Sequence, residues 1–342
     1  MTLRDRSPEA LPALTPQVFA ETPSLAPMTE CLSLAAANDM PVLLTGETGT
    51  GKTHLARLLH DYSPRHGQRL LVVPCGALSP HLLMSELFGH VKGAFTGADH
   101  NKIGKFEAAA DGTLLLDEID SLPLEAQAAL LRVIETGEFE PVGSNVTRRS
   151  QARVLAATNC DLEEAVAGEK FRQDLYYRLN VFSFYLPPLR QRPEDIAALA
   201  RSKVVHFAKQ FRKNPIPTLA AETLGVLQAF PWPGNIRQLE NVLLQAVLVC
   251  TGPALLVEHL PAPVQEHAGR VPRPLPGSPQ MNCAGREAQG ARGTLSESVG
   301  ELERELIKKA LMGAGFSRRR AASTLGISRV TLYNKMKRHG LI

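Results

Sequence analysis

The chain has 342 residues, enough for two or three domains rather than one core. Hydrophobic residues make up 44% and charged residues 21%, which excludes a wholly disordered or fibrous chain, and the five cysteines lie too far apart for a zinc site or a disulfide framework. The net charge of +4 is unevenly placed: Val299–Ile342 holds ten Lys and Arg against three Glu, so this tail carries +7 and the first 298 residues −3.

Residues 1–24, rich in proline and polar residues, read as a loose leader, too short for a sensory domain. They hold no continuous apolar core of the secretory type, and no run of about 18 apolar residues follows, so the expectation is a cytoplasmic protein with no membrane partner. Over residues 25–192, the runs PVLLT, RLLVV, TLLLD, RVLAAT and VFSFYL are strand-like and separated by segments long enough for crossover helices. That alternation predicts an α/β domain with a parallel sheet. Residues 193–260 change to apolar positions at helical spacing, a small all-α unit. Residues 261–298 turn to Pro, Gly, Ala and Gln, a composition expected of a flexible linker, and residues 299–342 are helical and basic.

Chemistry concentrates first at Gly46, Glu47, Thr48, Gly49, Thr50, Gly51, Lys52 and Thr53, between the strand VLL and the helix HLARLLHDY. This is a P-loop in its proper context. Glycine backbone amides can turn inward around phosphates, Lys52 adds a charge near the β and γ groups, and the Thr53 hydroxyl suits Mg²⁺. Hydrolysis of ATP needs a carboxylate site as well. The apolar strand 114–116 delivers Asp117, a second candidate for the Mg²⁺ shell, and Glu118 can orient and deprotonate a water.

With the strand Val154–Thr158 and its polar end Thr158 and Asn159, these motifs resemble the AAA+ ATPases. Within Glu86–Ala98 the hexapeptide Gly93, Ala94, Phe95, Thr96, Gly97 and Ala98 (GAFTGA) sharpens the likeness to the bacterial enhancer-binding activators of sigma-54 RNA polymerase. The residues alone describe a bendable loop that exposes one aromatic beside a hydroxyl. The resemblance makes it the sigma-54 contact, makes Thr158 and Asn159 the γ-phosphate sensor, and gives Arg172 and Arg178 the role of arginine fingers reaching the nucleotide of the next subunit. It also makes Arg237, in WPGNIRQLEN, the second sensor. Two positions depart from the family: Thr53 stands where many members have Glu, and Pro74 stands where they usually have an Asn whose amide holds the catalytic glutamate. Proline has neither that amide nor a backbone donor.

The tail reads as a Fis-type helix-turn-helix, with Gly326 at the turn and Ser328 capping the last helix. In that helix Arg329, Val330, Thr331 and Asn334 would face base edges. Lys335, Lys337, Arg338 and Arg318, Arg319 and Arg320 are better placed for phosphates. The whole is similar to a sigma-54-dependent transcriptional activator without an N-terminal regulatory domain. The resemblance implies an ATPase that uses ATP and Mg²⁺ and works as a ring, a hexamer with a dimeric inactive form. It would bind double-stranded DNA at an enhancer-like upstream site and remodel the sigma-54 RNA polymerase holoenzyme, with control from a separate regulatory protein, from expression level or from assembly.

Overall fold

A computed structural model of the chain describes residues 14–270 and the single position Met336. Five strands form one sheet: β1 (Val42–Thr45), β2 (Leu70–Pro74), β3 (Thr113–Asp117), β4 (Arg153–Thr158) and β5 (Phe182–Tyr185). Their spatial order is β2-β3-β4-β1-β5 and every pairing is parallel. All five expected strand runs are therefore strands of the expected parallel sheet.

Alternation along each strand divides the core between the two faces. Leu43, Leu114, Leu116, Val154 and Ala156 face one layer of helices. Val42, Leu44, Leu115, Leu155 and Ala157 face the other. Helices cover both faces, which is why these strands read as unbroken apolar runs rather than alternating ones. Burying one such leucine is worth about 1.5–3 kcal/mol, so the sheet is a rigid platform for whatever sits on its ends.

A helical lid follows, built from helices Pro193–Gln210, Ala221–Ala229 and Asn235–Val249 around the fully buried Trp232. The Trp232 indole N–H donates to the Leu227 carbonyl at 2.7 Å, which satisfies its polar edge inside an apolar core. Pro193 opens the first of these helices, with Glu194 and Asp195 in its first turn, where proline and negative charge both suit an N-terminus.

Two expected boundaries are corrected. The linker expected from residue 261 does not hold over 262–270, because Ala262–Arg270 is a helix whose Val264 is buried in the lid core. Val264 is its apolar anchor, and the His267 ring meets that of Phe230 edge-on at 5.3 Å. The leader expected over residues 1–24 is also too long: 14–24 is packed, through 3₁₀ turns at Pro16–Phe19 and Pro23–Met28 that bury Phe19 and Leu25 against the sheet helices. Ser24 ties this segment to the lid, its amide and hydroxyl donating to the buried Asp195 carboxylate at 2.9 and 2.6 Å. No helix among the described residues is long and apolar enough to cross a membrane.

Candidate functional site

A cleft of about 550 Å³ opens at the C-terminal ends of β1 and β3, a volume suited to a nucleotide-sized ligand. This is where a parallel sheet whose strand order reverses at β1 places its ligands. Its apolar side is formed by Val18, Phe19, Leu25, Leu58, Leu199 and Ile236. Its polar side carries Lys52, Thr53, Asp117, Glu118, Asn159 and Arg237, all singled out by the sequence.

The P-loop runs from the end of β1 into the helix Lys52–Asp61. Gly49 has φ +80, and a Cβ there would meet the Gly234 carbonyl at 2.5 Å, so only glycine lets the lid turn pack directly on the loop. The Lys52 ammonium donates to the carbonyls of Gly46 at 2.6 Å and Glu47 at 3.0 Å. Burial pulls its pKa below the ordinary lysine value, while the nearby carboxylates of Asp117, Asp120 and Glu118 oppose that shift. A phosphate would supply the counter-charge it lacks.

Thr53 Oγ1 donates to Asp117 Oδ2 at 3.2 Å, bringing together a hydroxyl and a carboxylate from two different elements. These are hard oxygen donors, and one carboxylate beside substrate phosphates is the usual protein contribution to Mg²⁺, so the residues fit that ion. Glu118 follows in left-handed conformation (φ 57, ψ 50) with an exposed side chain.

The structure divides the remaining candidates. Thr48 to Thr53 line the cleft, but Gly46 and Glu47 do not. Glu47 turns its carboxylate to Arg190, which grips it through two N–H groups at 2.6 and 2.9 Å, and to the Asn235 amide at 3.1 Å. The Arg190 and Asn235 hydrogen bonds hold its pKa down at about 2. Of the pair after β4, Asn159 reaches the cleft and donates to Thr48 Oγ1 at 3.0 Å, whereas Thr158 is buried and donates to Asp120 Oδ1 at 2.5 Å.

Arg172 is the N-cap residue of the helix Gln173–Leu179, Arg178 lies in its last turn, and neither lines any part of this cleft. Arg172 is exposed and paired with Asp174 at 2.6 Å. Arg178 is exposed with no ion pair among the described residues. The hexapeptide loop is closed by Gly93 N–H to Ala98 O at 2.9 Å and Ala98 N–H to Phe95 O at 3.0 Å. Gly93 and Gly97, at φ +82 and +97 with nothing near a would-be Cβ, serve the turn alone. Thr96 is exposed, Ala98 is buried, and Phe95 is half-buried against His90.

Sequence reasoning missed several participants. Phe19 and Val18 lay inside the supposed leader, and only their apolar character among prolines marked them. Arg190 and Asn235 had no signal beyond their neighbours in WPGNIRQL and LPPLRQR. A second loop braces the hexapeptide: between the paired segments Glu138–Phe139 and Arg148–Arg149, the Val142 N–H donates to Gly89 O at 2.9 Å, and Val142 O accepts from Val91 N–H at 3.1 Å. The turn residues PVGSN were its only sequence mark. The DNA-facing candidates Arg318, Arg319, Arg320, Ser328, Arg329, Val330, Thr331, Asn334, Lys335, Lys337 and Arg338 lie outside the described residues.

Comparison with known proteins agrees with this organisation. Residues 18–185 match the sigma-54 interaction domain, residues 190–274 the AAA+ ATPase lid domain, and residues 298–339 the bacterial regulatory protein, Fis family. The chain is 41% identical over 328 residues to the formate hydrogenlyase transcriptional activator FhlA of Escherichia coli (strain K12), covering 95% of this chain and 44% of that one. It is 40% identical over 322 residues to the alginate biosynthesis transcriptional regulatory protein AlgB of Pseudomonas putida, covering 94% and 67%. The crystal structure of NtrX from Brucella abortus in complex with ATP superposes with a TM-score of 0.66 at 27% identity, over 93% of this chain and 68% of that one. The chain thus spans less than half the length of FhlA and about two thirds of AlgB. With an AAA+ core carrying the GAFTGA loop, a helical lid and a Fis-type tail, it belongs to the family of sigma-54-dependent transcriptional activators.

Proposed function

We propose that this chain hydrolyses ATP as a ring oligomer and uses the resulting motion to remodel sigma-54 RNA polymerase at a promoter, while its tail holds an enhancer-like DNA site. The observation that carries the reading is the meeting of Lys52, the Thr53–Asp117 pair and Glu118 in one cleft.

The Lys52 ammonium holds the β and γ phosphates against the loop amides. Thr53 and Asp117 would hold Mg²⁺, which would supply positive charge to offset that of the phosphates. Glu118 accepts a proton from the attacking water as its oxygen bonds to the γ-phosphorus; the bond to the bridging oxygen breaks, giving ADP and phosphate. Asn159 and Arg237 face the phosphates from β4 and the lid. Arg172 and Arg178 lie outside their own cleft, which supports their delivery to a neighbour's nucleotide, where a guanidinium offsets charge developing on the transferred group. The loop 93–98 offers Phe95 and Thr96 to sigma-54.

The deciding experiment is transcription in vitro with ATP, using sigma-54 polymerase in one arm and sigma-70 polymerase in the other. ATP-dependent open-complex formation only with sigma-54 is expected. Activity with neither, or with sigma-70 alone, rejects the reading.

A further inference from the structure

We propose that Asn235, together with Glu47 and Arg190, is a positioning set that fixes Arg237 over the phosphate loop. The inference rests on the reading of the cleft as an ATP site.

Asn235 is fully buried at the joint between lid and loop. Its amide donates to Glu47 Oε2 at 3.1 Å and to the Thr48 carbonyl at 3.0 Å, and its Oδ1 accepts the Leu189 N–H at 2.8 Å. One side chain therefore joins three chain segments. The next residue continues the seam, with Ile236 N–H donating to Gly49 O at 2.9 Å. Arg237 comes immediately after, its Cβ within 3.2 Å of the point where a Gly49 Cβ would lie. The direction of Arg237 is set by these bonds, because Asn235 has φ +51, a left-handed start that turns the chain into the helix Asn235–Val249. Asparagine is among the few residues that tolerate this conformation.

Glu47 also becomes intelligible. A carboxylate in a loop that receives phosphates should repel them, yet this one is engaged by the Arg190 guanidinium and the Asn235 amide on the side facing the lid. It links loop to lid instead of touching ligand. The Arg190–Glu47 pair is about 40% exposed on both sides, so its electrostatic worth is small by itself. Its effect is geometric: a two-pronged grip holds the carboxylate where Asn235 can reach it.

The test is a double-mutant cycle on the full chain, read by the dissociation constant of a fluorescent ATP analogue and by separate kcat and KM values. Asn235→Gly is the chosen variant because glycine keeps the left-handed backbone while removing the amide. Asn235→Gly and Arg237→Ala should each weaken analogue binding about tenfold, and the double variant should be no worse than Arg237→Ala alone, since the amide acts through the arginine. Arg190→Ala, at a half-exposed position that does not threaten folding, should weaken binding in the same direction and lose its effect in the Arg237→Ala background. Multiplying losses, about a hundredfold in the double variant, would assign Asn235 a merely structural role and overturn the proposal. Wild-type protein that binds no analogue would instead reject the ATP-site reading itself, so the two failures are distinct.

Discussion

The ring of Phe95 meets that of His90 edge-on, with centroids 5.0 Å apart and planes at 67°. His90 is itself fixed, its Nδ1 within 2.7 Å of Ser85 Oγ, so the aromatic of the hexapeptide loop rests on a tethered base. Such an edge-to-face contact is worth about 0.5–1.5 kcal/mol. Phe95→Ala should therefore lower the melting temperature by about 2–4 °C, and Thr96→Ala, exposed, should leave it unchanged. Both should keep ATPase within about twofold and lose open-complex formation at a sigma-54 promoter, one aromatic anchor being worth about 2 kcal/mol or more at an interface. Parallel loss of melting temperature and ATPase in both variants would mark the loop as core instead.

Lys52 and Glu118 should separate binding from chemistry. Lys52→Ala removes a charge-assisted contact of about 1.5–3 kcal/mol, so nucleotide binding should weaken about 10- to 100-fold. Glu118→Gln keeps the side chain's shape and loses its basicity; binding should persist while kcat falls about 10²- to 10⁴-fold. Calorimetry and single-turnover hydrolysis measure the two effects separately. Normal turnover by either variant would remove that residue from its role.

The parallel sheet was legible because strands buried on both faces, such as Leu114–Leu116, stand out as short unbroken apolar runs. Lys52, Thr53 and Asp117 were legible because their chemistry requires fixed spacing from a strand end. Contacts between distant segments leave no such mark. Asn235 reaches Glu47 across 188 positions and Arg190 reaches it across 143, and no local pattern announces either. Residues 14–24 read differently from sequence for a related reason: Leu14 and Phe19 are buried only because the sheet helices offer a surface to receive them, and local composition records only the prolines.

Acid should weaken the core through one buried histidine. His60 is buried, its Nδ1 2.9 Å from Thr113 Oγ1 and its Nε2 3.2 Å from the Gln68 carbonyl, a pattern one neutral tautomer satisfies. Burial lowers its pKa below the ordinary 6.5, partly opposed by the Gln68 carbonyl. The unfolded chain therefore binds this proton more readily than the folded one. Stability from the neutral ring is full above pH 6.5 and is lost as pH falls through the lower folded value. Melting scans between pH 7.5 and 5.5 should show a falling Tm in wild type and a shallower fall in His60→Gln. An equal fall would clear His60 of any part in it.

Arg172 and Arg178 differ in what binding to a neighbour would require. Arg172 must leave Asp174, whereas Arg178 has no ion pair to break among the described residues. Activity per subunit should rise with protein concentration as rings form. An Arg178→Ala protein mixed with a Glu118→Gln protein should recover part of the lost ATPase, because some interfaces then unite an intact arginine with an intact glutamate. A concentration-independent rate without recovery on mixing would point to a monomeric ATPase.

Glu118 rests against Gly76, in the turn after β2. A Cβ on Gly76 would overlap Glu118 Oε2 and stand 3.3 Å from Ser121 Oγ. The sheet order makes this position informative: β2 flanks β3 on the side away from β4 and β1, so a carboxylate leaning on Gly76 sits at the edge of the cleft on the β2 side. Pro74, opposite Asp117 in the register, offers no N–H to hold it there. Glu118 has no side-chain hydrogen bond among the described residues that would anchor it. Space alone permits the resting position. Gly76→Ala should close that space and push the carboxylate further into the cleft that it already lines. The expected result is a rise in basal kcat of about 2- to 10-fold, equivalent to about 0.4–1.4 kcal/mol of barrier, with KM for ATP unchanged. Pro74→Asn should act in the opposite sense by supplying an amide donor near the same carboxylate, lowering basal kcat. Steady-state ATPase of both variants checks the pair. A fall in kcat for Gly76→Ala would mean that the position against Gly76 is the one from which Glu118 works.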